Sequence, residues 1–210
     1  MDIGLYPLKY PFRKLIAFLV PRFKDSNPNV ISFALFPIGV AMAFCYFVAI
    51  RNDQPILFIV AIVLAFLRMI VSTLDGIVAQ EYDKSSKVGD IINRLHPEVC
   101  DLMLYPTIIF AMAEFSVVHI AALAMSWAIT FFGLLGAASG CAVQSVGPAG
   151  QTDRLAALML FTLLEFLSIR LGWGLSFLNF FFYWVLIGGL PTLYLRYTRS
   201  IKQAGELDQA

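Results

Sequence analysis

The stretch from Ser72 to Asp101 reads STLDGIVAQEYDKSSKVGDIINRLHPEVCD, and its reading decides the fold. Upstream of it, Pro55 to Val71 is apolar except for Arg68, and downstream Leu102 to Ala113 carries no charge. An apolar run therefore enters a cluster of acidic residues, passes a short polar turn, and leaves through a second acidic cluster into another apolar run. Carboxylates at the ends of bilayer-length helices are costly and are kept where they have work to do. The pattern predicts two membrane helices that meet at a hydrophilic site on one side of the bilayer.

Composition places the whole chain in the same class. Of 210 residues 60% are hydrophobic, 19 are Phe, and mean hydropathy is +0.79; soluble domains run nearer about 45–50% apolar. A net charge of +1 gives no reason to expect a nucleic-acid partner. The three cysteines, Cys45, Cys100 and Cys141, are far apart in apolar or helical contexts and read as buried, inert thiols. Met1 to Asn29 is broken by Pro7, Pro11, Pro21 and Pro28 and carries five basic residues, which is not a signal-peptide layout, so the first membrane helix is expected to act as the targeting signal.

Working outward, Leu5 to Phe23 mixes Lys9, Arg13, Lys14 and Arg22 with Leu8, Phe12, Leu15, Ile16, Phe18 and Leu19. That is a basic amphipathic segment too charged to span, suited to the headgroup layer, with a disordered leader as the alternative. Asn27-Pro28-Asn29 supplies cap and turn chemistry before the first apolar run, Val30 to Ile50. Further runs follow at Ile56 to about Ala79, Gly89 to Ala113, Ile120 to Ala138, Leu155 to Leu171, and Phe177 to about Tyr194. Each has close to the ~20 residues needed to cross the hydrocarbon. The expected fold is all-α and integral to the membrane, with six transmembrane helices after a basic interfacial helix. Its divisions are a cytoplasmic segment 1–29, a membrane domain 30–197 and a cytoplasmic tail 198–210.

Lys and Arg set the orientation. With the N-terminus cytoplasmic, that side collects Lys9, Arg13, Lys14, Arg22, Lys24, Lys84, Lys87, Arg94, Arg154, Arg196, Arg199 and Lys202, and the other side only Arg51 and Arg170. Both termini and the Ser72–Asp101 site are then cytoplasmic, in what is expected to be a bacterial inner membrane.

On a helix, Ser72, Asp75, Gly76 and Ala79 share one face. Gly76 and Ala79 lack bulk, so a helix or a ligand can approach the backbone beside Asp75. On the following helix Asp90, Asn93, Arg94, Pro97 and Asp101 share a wide face, with Glu98 at its edge. Carboxylate, amide and hydroxyl oxygens converging there suit a hard cation, Mg²⁺, Mn²⁺ or Ca²⁺. Pro97 cannot donate a hydrogen bond, which frees the Asn93 carbonyl inside the helix as a further ligand for metal or water. Several of these groups have plainer readings: Asp101 as a partner for Arg94 or Arg68, Glu98 as a solvated or paired charge, Asp90 as a complement to a helix dipole, Arg68 as snorkelling or internally paired.

The arrangement resembles the CDP-alcohol phosphotransferase (CDP-alcohol phosphatidyltransferase) family, whose signature is Asp-x-x-Asp-Gly-x-x-Ala-Arg, eight residues, then Gly-x-x-x-Asp-x-x-x-Asp. Its positions fall here on Ser72, Asp75, Gly76, Ala79, Gln80, Gly89, Asn93 and Pro97, with the eight-residue interval from Glu81 to Val88 intact. The basic N-terminal segment, Pro28-Asn29 before the first run, and the loop Gly147-Pro148-x-Gly-x-x-Asp153-Arg154 also look like the family. Only Asp75 keeps a signature carboxylate in register. The others are Ser72, Asn93 and Pro97, and the signature Arg is Gln80. Some members carry their acidic pair one turn later with Asn at the Asn93 position, and this chain resembles them in keeping Asp101.

The resemblance implies a membrane enzyme of phospholipid biosynthesis, which moves a phosphatidyl or related phospho-alcohol group from a CDP-linked lipid to a small alcohol or alcohol phosphate and releases CMP. It implies Mg²⁺ or Mn²⁺ held by Asp75 with Ser72, Asn93 and Asp101, and Asp101 or Glu98 as the base. Gly76, Ala79 and Gly89 would line the donor, Lys84, Lys87 or Arg154 would hold acceptor phosphate, and a homodimer is implied by the family alone. A catalytically inactive relative that binds CDP-lipid or a membrane partner is one alternative. A small cation transporter is the other, although no inverted repeat is visible.

Overall fold

Asn27 opens the first long helical stretch by accepting a hydrogen bond from the Asn29 amide at 2.9 Å, with Pro28 at the first helical position, where a missing N–H costs nothing. The computed structural model describes residues 4–5, 9–113 and 115–209; Met1, Pro7 and Leu8, named above, lie outside the described residues, as does the side chain of Lys9. The described residues form α1 (Lys9–Ile16), a 3-10 stretch (Ala17–Phe23), α2 (Pro28–Phe33), α3 (Leu35–Arg51), α4 (Ile56–Glu81), α5 (Lys87–Met112), α6 (Val117–Leu135), a 3-10 turn (Gly136–Ser139), α7 (Gln151–Leu171) and α8 (Phe177–Leu207), with no strand among them.

Contacts group the chain into two units, residues 8–115 and residues 116–210 with residues 1–7. In the first, α3 is the common support: α4 and α5 both pack broadly on it and touch each other far less. Leu35, Met42, Tyr46 and Ala49 of α3 are buried with Phe58, Ala61 and Ala65 of α4 and Leu104 and Ile108 of α5. Gly39 lets α3 approach α5 closely, since a Cβ there would stand 3.0 Å from the Cys100 Sγ. α1 and the 3-10 stretch lie on α4 through Ile16, Val20, Leu74, Ile77 and Val78, leaving Tyr10, Leu15 and Phe18 exposed.

In the second unit α8 packs on α6 and α7, with Ile129, Leu158, Phe181, Phe182 and Val185 buried. Glu165 of α7 finds the partner expected for a carboxylate inside an apolar run: its Oε2 accepts from the Leu178 amide at 2.9 Å, at the start of α8.

Among the described residues, four helical stretches are long and apolar enough to cross a membrane: Pro28–Arg51, Ile56–Glu81, Val117–Ser139 and Phe177–Leu207. The protein is an integral membrane protein. α5 and α7, the other two expected spans, have 26 and 21 residues. Their charges set them apart, Lys87, Asp90, Arg94, Glu98 and Asp101 on α5 and Asp153, Arg154, Glu165 and Arg170 on α7.

Candidate functional site

The polar residues of the first unit gather where α4 and α5 run antiparallel across a short turn. That turn is built by Asp83 in the left-handed region (φ 53°) and by Ser86, whose side chain caps α5 by accepting from the Gly89 amide at 3.0 Å. Because α4 and α5 barely pack on each other, polar side chains cross between them as two rungs.

The upper rung is Asp75 with Asn93. Asp75 is 2% exposed. Its Oδ2 accepts from the Ser32 hydroxyl of α2, and its Oδ1 accepts from the Gly76 amide and, at 3.3 Å, from Asn93 Nδ2 of α5. Buried carboxylates persist where donors replace water, and these three are such donors. Ser32 itself is fixed by its carbonyl, which meets Nδ1 of the buried His96 at 3.2 Å; the His96 ring lies between Phe33 and Phe36 and does not face Asp75.

The lower rung is Arg68 with Asp101. The Arg68 Nη1 lies 2.7 Å from the Asp101 Oδ1, with side chains 2% and 5% exposed, and its Nη2 donates to the Pro97 carbonyl at 2.6 Å. Seven residues separate Arg68 from Asp75, about 10 Å along the axis at 1.5 Å per residue. Asp101 therefore belongs to a different level of the helix pair from Asp75, and it takes the internal partner that the sequence offered as its second reading.

Between the rungs stands Ser72, half-buried, opposite Pro97. Glu98 is half-buried on the α5 side. Asp90 is exposed and pairs with Arg94 at 3.1 Å one turn along its own helix. Beside Asp75, an added Cβ on Gly76 would meet only the Asn93 Nδ2, at 3.4 Å; packing does not demand glycine there, and the space is left open. Ala79, one turn on, is half-buried.

An open polar pocket of about 380 Å³ lies at this end of the unit, lined by Asp25 to Asn29, Lys84 and Ser86. Gly89 sits at its rim, since a Cβ there would be 3.1 Å from both the Asn29 Oδ1 and the Ser86 Oγ. Gly89 and Asn93 are one turn apart on α5. Lys84 donates to the Lys24 and Ser26 carbonyls and ties the pocket's two walls together; Lys87 is exposed at the start of α5. Gln80, at the signature's Arg position, accepts from an Arg13 guanidinium N–H of α1.

Hydropathy and spacing located Asp75, Gly76 and Asn93 but not Ser32, whose only signal was a hydroxyl in an apolar run four residues past Pro28. Arg154 belongs to the second unit. It is fully buried, and its Nη1 donates to the Ala149 carbonyl at 3.2 Å. Beside it, Asp153 accepts from the Leu5 amide at 2.6 Å. Burial pushes the Asp153 carboxyl above its ordinary value, against the Leu5 amide and the Arg154 and Arg196 guanidiniums, which pull it down. Arg196 holds the preceding loop, donating to the Val146 carbonyl at 3.0 Å and the Ile129 carbonyl at 2.6 Å.

Among the described residues no group of three or more His, Cys, Asp or Glu side chains is arranged to hold a metal ion. The donors near Asp75 are one carboxylate, the Ser72 hydroxyl and the Asn93 amide. That set suits a single hard cation of the kind bound through one or two carboxylates together with substrate phosphates, and it falls short of a multi-carboxylate centre.

The CDP-alcohol phosphatidyltransferase family model matches residues 26–189. The chain belongs to that family. It is also similar to the inner membrane protein YnbA of Escherichia coli (strain K12), at 31% identity over 101 residues that cover 48% of this chain and 50% of YnbA. The match thus spans about half the length of that curated relative. The family match takes in α2 through the first part of α8 and both rungs, so the degenerate signature stands in the family's own framework.

Proposed function

We propose that this protein is a CDP-alcohol phosphotransferase of phospholipid biosynthesis, which takes the phosphatidyl group of a CDP-linked lipid at the cytoplasmic end of α4 and α5. The observation that carries this reading is Asp75, a buried carboxylate in signature register, held from two sides by Ser32 and Asn93 and flanked by Gly76, where an added Cβ would meet only the Asn93 Nδ2. The CDP headgroup is water-soluble, whereas its acyl chains need lipid, and a site at the end of spanning helices meets both demands. In this reading α5 and α7 complete six spans, both termini are cytoplasmic, and α1 lies in the headgroup layer.

In the transfer, the acceptor hydroxyl oxygen forms a bond to the phosphorus that carries the lipid, the bond from that phosphorus to the CMP oxygen breaks, and CMP leaves. The hydroxyl proton goes to a carboxylate of α5, Glu98 or Asp101, and for Asp101 that draws on its pairing with Arg68. Asp75, with Ser72 and Asn93, would hold one Mg²⁺ or Mn²⁺ with the diphosphate, and that ion would supply positive charge to the diphosphate oxygens. Gly76, Ala79 and Gly89 give the donor room, and Lys84 and Lys87 bring positive charge to the pocket mouth.

A second reading is donor binding without transfer. The Arg68–Asp101 pair favours it, because it engages the buried carboxylate of α5 with a guanidinium. Purified protein in nanodiscs with CDP-diacylglycerol, Mn²⁺ and a panel of alcohols and alcohol phosphates separates the two. CMP release that Asp75→Asn abolishes supports transfer; saturable CDP-diacylglycerol binding with no CMP from any acceptor supports the second; no binding of the donor rejects both.

A further inference from the structure

The lower rung has a feature the transfer reading does not use. Arg68 is among the largest fully buried side chains. It makes three kinds of link at once: an ion pair to Asp101, a hydrogen bond to the Pro97 carbonyl, and, through its own backbone, continuity with Asp75 two turns along α4. A carboxylate buried in the hydrocarbon layer requires a cation or a set of donors. Asp75 has donors, whereas Asp101 has a guanidinium. Pro97 contributes as well: its carbonyl lies one turn before Asp101 and accepts from the same guanidinium, so that one Arg68 side chain meets both the carboxylate and the carbonyl.

We propose that Arg68 is a built-in cation at the level where this helix pair would otherwise need a metal ion. Its guanidinium neutralises Asp101 and clamps α4 to α5, so the donor site is assembled without any divalent ion, and the site's metal capacity is a single ion at Asp75. The proposal rests on the donor-site reading above for the Asp75 ion, while the clamp itself is independent of it. The physical reason for a clamp is the sparse direct packing of α4 on α5. Both helices lean on α3, and the Arg68–Asp101 pair adds a charged cross-link to the weaker one between Asp75 and Asn93.

The test has a lipid-free arm and a lipid-bound arm, both on the full chain in nanodiscs. In the first, thermal unfolding is followed in EDTA and in Mn²⁺. The wild type is expected to unfold at the same temperature in both. Arg68→Met is expected to unfold earlier and to be raised again by Mn²⁺, because Asp101 then takes a metal ion as its counter-charge. Arg68→Met with Asp101→Leu is expected to show no response to Mn²⁺. A wild type stabilised by Mn²⁺ in a manner lost in Asp101→Asn would overturn the proposal, as would a folded Arg68→Met with wild-type stability. In the second arm, Mn²⁺ bound in the presence of CDP-diacylglycerol is counted by electron paramagnetic resonance. The wild type is expected to hold a single ion per chain, lost in Asp75→Asn and kept in Asp101→Asn; a second ion dependent on Asp101 would overturn it. The wild-type results decide the matter even if Arg68→Met does not fold. Failure of CDP-diacylglycerol to bind counts against the proposed function, and the lipid-free arm still decides the clamp.

Discussion

The Arg68 guanidinium lies 2.7 Å from the Asp101 carboxylate, with both side chains almost wholly buried, one on each of two helices that otherwise touch little. Removing either partner alone leaves an uncompensated buried charge, which costs about 3–5 kcal/mol, whereas replacing both with apolar groups of similar size is often near neutral. Arg68→Met and Asp101→Leu are therefore expected to be strongly destabilising singly and much less so together. A double-mutant cycle of unfolding in nanodiscs measures the coupling, and additive losses would show that the pair does not act as a unit.

Ser32 is the donor that the spacing of the acidic residues could not reveal. Its hydroxyl reaches Asp75 Oδ2 in a buried setting, so Ser32→Ala leaves that oxygen one donor short, at about 1–3 kcal/mol. Donor binding is expected to weaken along with stability, because the Asp75 carboxylate loses its fixed orientation. Ser32→Thr, which keeps the hydroxyl, is expected to retain more of both.

Gly76 separates a packing role from a binding role. Its added Cβ would meet only the Asn93 Nδ2, at an ordinary 3.4 Å, and Ala is better than Gly inside a helix by roughly 1 kcal/mol. Gly76→Ala is expected to unfold at or above the wild-type temperature while binding CDP-diacylglycerol less tightly. Loss of stability with unchanged binding would assign the glycine to packing.

Asp153 gives a pH dependence of definite sign. Burial raises its folded-state value above the ordinary carboxylate value, so the folded protein holds this proton more firmly than the unfolded chain does. The resulting stabilisation is complete below the ordinary value of about 4 and is lost as pH rises through the raised one. Asp153→Asn can still accept from the Leu5 amide and is expected to flatten that part of the stability profile. An unchanged profile in this variant would place the titration elsewhere.

Much of the helix layout was legible because period and length speak plainly in apolar runs. The helices that begin at Ile56 and at Phe177 start where hydropathy put them, and the first of them ends at Glu81, two residues past the expected Ala79. α8 continues to Leu207, past the last apolar turn, because Lys202 and Glu206 face each other at helical spacing, 3.9 Å apart, with nothing to break the helix. The site was legible as a face but not as a set of pairs. Asp75 and Asn93 meet as their register implied, whereas Asp101 shares their face of α5 yet lies more than two turns from Asn93. A helical wheel collapses that axial distance, and only the antiparallel pairing of α4 with α5 restores it. Ser32 and the Arg13–Gln80 contact join residues far apart in sequence, and single-chain spacing carries no signal for such partners.

The central claim is that Asp75 anchors a site for a CDP-linked lipid, and equilibrium binding of CDP-diacylglycerol to the full chain in nanodiscs tests it most directly. Saturable binding that free CDP displaces, weakened about tenfold or more in Asp75→Asn as expected for loss of a charged anchor, is the predicted result. Equal affinity in wild type and Asp75→Asn, or no saturable binding in either, would contradict it.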